Sequence, residues 1–423
     1  MISRRTLLLA AGVLGAGAAL SACSQEGGAT GGTTKIRYGH WDNGNAQATF
    51  AALFQSFMDA NEGIEVAQEF ASYADFQERM TTQIAGKNVA DIFWVASPQV
   101  ITYYNNNLFH DLDELPGFDF SQYDESMLER IKIDGKLNTM PMGMSIPAFR
   151  YNATYLEEAG ASLPANWTWD SLAEFLVDYS KDAPAGRYAC LYQPAHDLAL
   201  EGWLRQHGED LWTEDRKLGA SVEALSEYVN WWEKLRAAGA TPSFEEQDGV
   251  APGWNDHGAK VLFTVGNQNH IIEASDVYPD YTFKQRVIPT IESPAEGHAF
   301  GYLVRLAVYS LTDESKLEAI GKLLEFNLNS AEWMSTLGPV MGAPISRSQQ
   351  AAARESTDQR IQEVLAVTDE TLAAPSRPRF DAPPGSSTWR MEYERGIEAV
   401  ALGSKSITEA MTEFHKTISD KIG

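Results

Sequence analysis

The chain has 423 residues, of which 58 are Asp or Glu and 33 are Lys or Arg, giving a formal net charge of −25. An acidic surface repels phosphate backbones and anionic headgroups, which argues against nucleic acid and adsorption to anionic lipid. With 44% hydrophobic and 22% charged residues the composition is that of a folded soluble protein, long enough for two domains with a core each.

The chain opens with Arg4-Arg5, an apolar run from Thr6 to Ala19 and the small-residue boundary Leu20-Ser21-Ala22-Cys23. This order reads as an export signal over residues 1–22, because the run is too short to span a bilayer. Ser3-Arg4-Arg5-Thr6-Leu7-Leu8 resembles a twin-arginine motif, with the general secretion route also open. The boundary resembles a bacterial lipobox, a resemblance that implies acylation of Cys23 and a lipid-anchored protein on the outer face of the cell membrane. Residues 23–34 are rich in Gly, Thr and Ser and read as a flexible tether.

Residues 35–41 alternate as a first strand, and Asp42-Asn43-Gly44-Asn45 makes a turn. Phe50, Leu53, Phe54, Phe57 and Met58 then recur at helical spacing. A second strand at 64–70, a helix at 73–85 and an apolar strand at 90–96 follow. Strands alternating with helices predict an α/β fold with a parallel sheet covered on both faces.

The pattern changes near Pro141 and Pro147. Two helices are expected within 155–180, the second capped by Thr168. Further helices are predicted over 222–238, 316–327 and 387–400, the last of these opening with Trp389, and a buried strand over 258–266. The Pro-rich stretch 373–385 reads as an ordered crossing loop. Trp94, Trp231, Trp232 and Trp333 lie in apolar runs and read as core, Trp167 and Trp169 as packing at a helix start, and Cys190 as a buried thiol.

The chain lacks a Walker-type phosphate loop, a His-Glu-x-x-His or Cys-x-x-Cys metal motif and a Gly-x-Ser-x-Gly nucleophile elbow. No cofactor, metal or catalytic residue is therefore assigned. A glycosidase carboxylate pair is defined in space and not by spacing, so a lipid-anchored glycoside hydrolase stays open as an alternative.

Several segments in shared order carry a family resemblance. They are Ala85-Gly86-Lys87-Asn88-Val89-Ala90-Asp91-Ile92-Phe93-Trp94, Met140-Pro141-Met142-Gly143 leading to Arg150-Tyr151-Asn152, and Trp167-Thr168-Trp169-Asp170-Ser171-Leu172. Gly258-Ala259-Lys260-Val261-Leu262-Phe263 and the run from Gly403 to Ala410 complete the set. With these marks the chain resembles the extracellular solute-binding proteins of ABC importers, in the carbohydrate-binding group that includes maltose-binding protein. The resemblance implies a two-lobed periplasmic-binding-protein-like fold with a hinge and an interlobe ligand cleft. Lobe 1 is expected from residues 35–142 plus 286–335, and lobe 2 from 143–285 plus 336–423. It further implies a non-enzymatic protein that captures a sugar or oligosaccharide by hinge closure and delivers it to ABC permease subunits in the membrane. A polyamine or glycerol phosphate is the alternative cargo.

Carried over by position, the resemblance places Trp41, Asp42, Asn43 and Asn45 at the cleft, with Ser97 and Gln99 after the third strand. It adds Ser145 in the crossing segment, His196 and Asp197 in the second lobe, Asn267 and Gln268 after a strand, Tyr302 on the return and Trp389 as a stacking ring. Trp203, Trp254 and Arg305 are further candidates. Pro98 with Gln99, and Ser145, depart from the charged residues of the maltodextrin binders. Arg305 is the sole cation expected near the ligand, too little for a phosphate or an iron chelate.

Overall fold

The computed structural model of the protein describes residues 32–41, 46–247, 249 and 258–423. Ten strands occur among them: β1 (Thr34–Trp41), β2 (Ile64–Ala71), β3 (Ile92–Val95), β4 (Met140–Ser145), β5 (Pro147–Asn152), β6 (Tyr188–Cys190), β7 (Val261–Asn267), β8 (Phe283–Val287), β9 (Tyr302–Val308) and β10 (Ala343–Pro344). They form two sheets, ordered β10-β4-β9-β3-β1-β2 and β6-β7-β5-β8. Each sheet has its own apolar core, so the molecule is two α/β lobes.

The helices follow from the sequence pattern. In Gln47–Ala60 the residues Phe50, Leu53, Phe54 and Phe57 are buried, as their spacing requires. Ser72 caps Tyr73–Ala85 by accepting the Asp75 N–H, and Thr168 with Ser171 forms a reciprocal cap on Trp169–Asp182. Trp94, Trp231, Trp232 and Trp333 are buried, as are Trp167, Trp169 and Cys190. The helix expected over 387–400 is Trp389–Ala401, and it is not the last one. Ile407–Ile422 follows, started by a capping box of Ser406 and Glu409.

The sheets are mixed and not parallel throughout. Pairing is parallel in β1–β2, β1–β3 and β6–β7, but β9 runs antiparallel to β3 and β4, and β5 antiparallel to β7 and β8. The cause is the crossing of the chain between lobes. A strand that enters from the other lobe starts at the edge where the resident strands end, so it runs against them.

The lobe 1 sheet retains β4 as far as Ser145 and recruits β10, where Ala343 and Pro344 pair with Met144 and Gly143. The expected boundary at 142/143 therefore falls inside a strand, and β10 lies within the stretch expected for lobe 2. The backbones approach closely here: a Cβ on Gly143 would clash with the Met341 carbonyl oxygen. At the far end of β3, Asp91 accepts from the Arg37 N–H at 2.9 Å and pairs with Lys316 at 3.0 Å, locking β1, β3 and the helix Leu317–Asn329 together.

The crossing itself is Ile146, between β4 and β5. The helix Gln359–Ala373 lies under it, with Val367 packed against Ile146 and Ala148. Among the described residues, no helix is long and apolar enough to cross a membrane.

Candidate functional site

The ends of β1, β3, β4 and β7 and the starts of β5 and β9 converge at the crossing, the edge of α/β sheets where ligands are commonly held. Trp41 ends β1 half-buried, with its ring 5.5 Å from Tyr73 and 5.1 Å from Trp94, both edge to face. Tyr73 opens its helix and is 39% exposed, so it offers an accessible ring beside Trp41. Ser97 and Gln99 lie in the tight turn that follows β3.

Tyr302 faces Ser145 across the β4–β9 pair. Its hydroxyl oxygen accepts from Asn267 Nδ2 at 3.2 Å, which joins the start of β9 in lobe 1 to the end of β7 in lobe 2. Burial, and then the charge of Asp197, push its phenol upward.

Lobe 2 meets this edge with the N-terminus of the helix Asp197–Gln206. His196 caps that helix, its Nδ1 accepting the Ala199 N–H at 3.4 Å, and burial pulls its imidazole down to about 4. A neutral ring is what this acceptor role needs. Asp197 pairs with Arg390. Burial would raise the Asp197 carboxyl, but the charge of Arg390 and the Leu198 N–H at 3.0 Å hold it below the ordinary range.

One turn further, Glu201 takes Arg379 as a two-pronged pair, Nε to Oε1 at 2.7 Å and Nη2 to Oε2 at 2.9 Å. Arg379 Nη1 reaches Ser97 Oγ of lobe 1 at 3.4 Å. Beside it, Asp381 accepts from lobe 1 twice, from Arg305 Nη1 at 3.4 Å and from Ser97 Oγ at 3.5 Å.

The loop that presents Arg379 and Asp381 is held by Arg205, whose side chain is fully buried. Its guanidinium donates to the carbonyls of Gly297, His298, Arg377 and Pro378 and pairs with Asp210 at 2.8 Å. Thus the Pro-rich stretch is ordered, as expected, and the order has a named cause.

The structure therefore brings Trp41, Ser97, Tyr302, Asn267, His196 and Asp197 to the seam between the lobes, with Arg305 among them, and Gln99 lies in the same short turn as Ser97. Ser145 is 1% exposed and reaches the cleft through Tyr302 only. Two expectations are corrected. Gln268 is fully buried, and its amide is spent on the backbone of Met144 and Ile146, so it supports the crossing and has nothing left for a ligand. Trp389 is 3% exposed and packs edge-on against Trp212 in the lobe 2 core, so it presents no open face. Trp203 is likewise core. Asp42, Asn43, Asn45, Trp254 and Cys23 lie outside the described residues.

Sequence reading missed Tyr73, Glu201, Arg379, Asp381 and Arg390, and so undercounted the cations: three arginines face the cleft, where one was expected. One signal was present. Arg379 and Asp381 are opposite charges two apart inside a Pro-rich loop, where a solvated tail would not need them.

Among the described residues, no group of three or more His, Cys, Asp or Glu could hold a metal ion. A small cavity of about 20 Å³ between Phe50, Trp94 and Trp333 has room for about one water and none for a solute ring.

A family model described as bacterial extracellular solute-binding protein matches residues 52–353. A binding protein of Brucella abortus (strain 2308) is 27% identical over 120 residues, 28% of this chain and 29% of that protein, so the match spans under a third of the curated relative. Three solved structures share the fold, each over 92% of this chain. They are a periplasmic solute-binding protein of Pectobacterium atrosepticum (TM-score 0.79, 18% identity, 100% of that chain), a periplasmic oligogalacturonide-binding protein of Yersinia enterocolitica in complex with saturated digalacturonic acid (0.80, 19%, 98%) and a receptor of Streptomyces glaucescens known unliganded and in complex with acarbose (0.73, 16%, 98%).

Proposed function

The chain belongs to the bacterial extracellular solute-binding proteins, and from that premise we propose that it captures a sugar or short oligosaccharide between its lobes and delivers it to an ABC permease. The observation that carries this reading is the cleft's pairing of charge with aromatic surface. Arg305, Arg379 and Arg390 each rest on a carboxylate, while Trp41, Tyr73 and Tyr302 supply ring faces and a hydroxyl. Paired ionic groups present many fixed donors and acceptors with little net field, which suits hydroxyls. Rings suit the apolar faces of a pyranose.

The same groups come from both lobes, so a ligand that bridges them favours the closed form over the open one. The permease is then the partner that reads the closed form. Structures with the same fold, which include digalacturonate, acarbose and cycloalternan complexes, support a carbohydrate cargo. Residues 1–23 support export and a lipid anchor at Cys23 on the outer face of the cell membrane.

The test is a thermal-shift and calorimetric screen of the chain lacking residues 1–34 against mono-, di- and trisaccharides, polyamines and glycerol phosphate. A ligand that binds only the folded state must raise the melting temperature. A rise with a saccharide, without turnover of it, is expected. A rise only with a cationic or phosphorylated solute would sink the carbohydrate reading. Palmitate labelling that is lost in Cys23→Ser checks the anchor.

A further inference from the structure

We propose that Asp381 sets the charge selectivity of the cleft, so that it admits uncharged saccharides and rejects those carrying a carboxylate. This rests on the carbohydrate reading above and deepens it.

Arg390 is matched by Asp197, and Arg379 by Glu201 through two hydrogen bonds. Arg305 has a looser partner: Asp381 lies 3.4 Å from its Nη1. Arg305 Nε is buried and has no hydrogen-bond partner among the described residues. Asp381 is also 3.9 Å from Arg379 Nη1, so one carboxylate is shared by two guanidinium groups from opposite lobes.

That arrangement has a direct chemical consequence. With Asp381 ionised, each of the three arginines has a carboxylate partner and Glu394 adds a further acidic group near Arg390, so a sugar carboxylate placed beside Arg305 would sit against the Asp381 carboxylate with no spare cation to offset it. Like charges at such separations in a partly dehydrated site repel strongly. With Asp381 neutralised, Arg305 and one face of Arg379 become an unspent pair of donors, and guanidinium groups take carboxylates in two-pronged geometry. The side chains of Asp381 and Arg305 are 19% and 12% exposed, so solvent screens the effect only in part.

The rule is also position-specific. Glu201 and Asp197 are committed to guanidinium groups on their own lobe, whereas Asp381 reaches from lobe 2 to Arg305 and Ser97 of lobe 1. It is therefore the carboxylate placed where a bridging ligand must come in.

The experiment measures binding by calorimetry for wild type, Asp381→Asn and Asp381→Glu. The probes are D-galacturonate and digalacturonate, and the tightest neutral saccharide of the screen. The readout is the ratio of uronate to neutral affinity, because a change in lobe closure moves both affinities together and leaves the ratio alone. We expect wild type to favour the neutral sugar by at least ten-fold. Asp381→Asn should raise the ratio at least ten-fold, in a manner weakened by added salt, and Asp381→Glu should keep the wild-type preference. Equal binding of uronate and neutral sugar by wild type overturns the inference, as does an unchanged ratio in a folded Asp381→Asn protein. Wild type that binds no saccharide of either kind overturns the carbohydrate reading itself, and the two failures are thereby told apart.

Discussion

Gln268 and Ile146 bond to each other twice across the lobe crossing: the Gln268 N–H donates to the Ile146 carbonyl at 2.9 Å, and the Ile146 N–H donates to Gln268 Oε1 at 2.8 Å. Gln268 Nε2 then donates to the Met144 carbonyl at 2.8 Å. The side chain thus replaces the sheet partner that the crossing residue loses when it leaves one sheet for the other. Gln268→Leu would keep the bulk and strand one N–H and one carbonyl in a buried place. Each such loss costs roughly 1–3 kcal/mol, so a fall of about 3 kcal/mol is expected. Urea unfolding checks it, and a midpoint within error of wild type would refute the clamp.

The loop that carries Arg379 and Asp381 depends on a residue far from any ligand. Arg205 holds four loop and crossing carbonyls with one planar group, and Asp210 supplies the counter-charge. Lysine has three donors at a point and cannot span them. Arg205→Lys is expected to lower stability by about 2 kcal/mol and to weaken saccharide binding several-fold through the loop. Calorimetry with the saccharide found in the screen checks the second part. Binding unchanged in a destabilised variant would show that the loop does not need Arg205 to present its charges.

Asp91 supplies a contrasting case. It sits before β3, at the opposite end of that strand from Ser97. Six steps of extended chain, through Ile92–Val95 and Ala96, separate the two by roughly 20 Å. Asp91→Asn loses the charge that holds Lys316 and weakens the bond from the Arg37 N–H. We expect about 1–2 kcal/mol of lost stability with saccharide affinity unchanged. A Kd shifted more than three-fold would place Asp91 in the binding machinery after all.

Much of the fold was legible because hydrophobic spacing reports it directly. Phe50 to Phe57 and the apolar run before Ser97 fixed a helix and a buried strand, and the tryptophans in apolar runs proved to be core. The direction of β5 and β9 was not legible, since spacing carries no record of which lobe a strand enters from. The final helix carried its own signal in Ser406-x-x-Glu409, which the sequence reading passed over as a family mark. At the site, residues next to strand ends such as Trp41, Ser97 and Asn267 could be placed by position. Arg379, Asp381 and Arg390 could not, because they reach the cleft through partners 178, 76 and 193 positions away. Trp389 misled for a related reason: an aromatic ring at a helix start serves a core as well as it serves a ligand.

His196 gives the cleft a pH response whose direction can be worked out. Its folded imidazole is pulled down to about 4 from an unfolded value near 6.5, chiefly by burial, with the Asp197 charge opposing the shift and the Arg390 charge adding to it. The unfolded chain therefore takes up a proton that the folded chain refuses. Above pH 6.5 neither state is protonated and nothing is lost. As pH falls from about 6.5 towards 4 the unfolded state gains, and stability declines. The full shift would amount to about 3 kcal/mol, and because His196 is partly exposed about 2 kcal/mol is expected. Protonation also removes the acceptor that caps the helix carrying Asp197 and Glu201. Asparagine caps helices well and does not titrate. Urea unfolding of wild type and His196→Asn at pH 7.5 and 4.5 should therefore show a gap that narrows, or reverses in favour of the variant, by about 2 kcal/mol at the lower pH. Parallel losses in the two proteins would assign the acid sensitivity to other groups, with partly buried His270, whose imidazole is also held well below the ordinary range by burial, the next to replace.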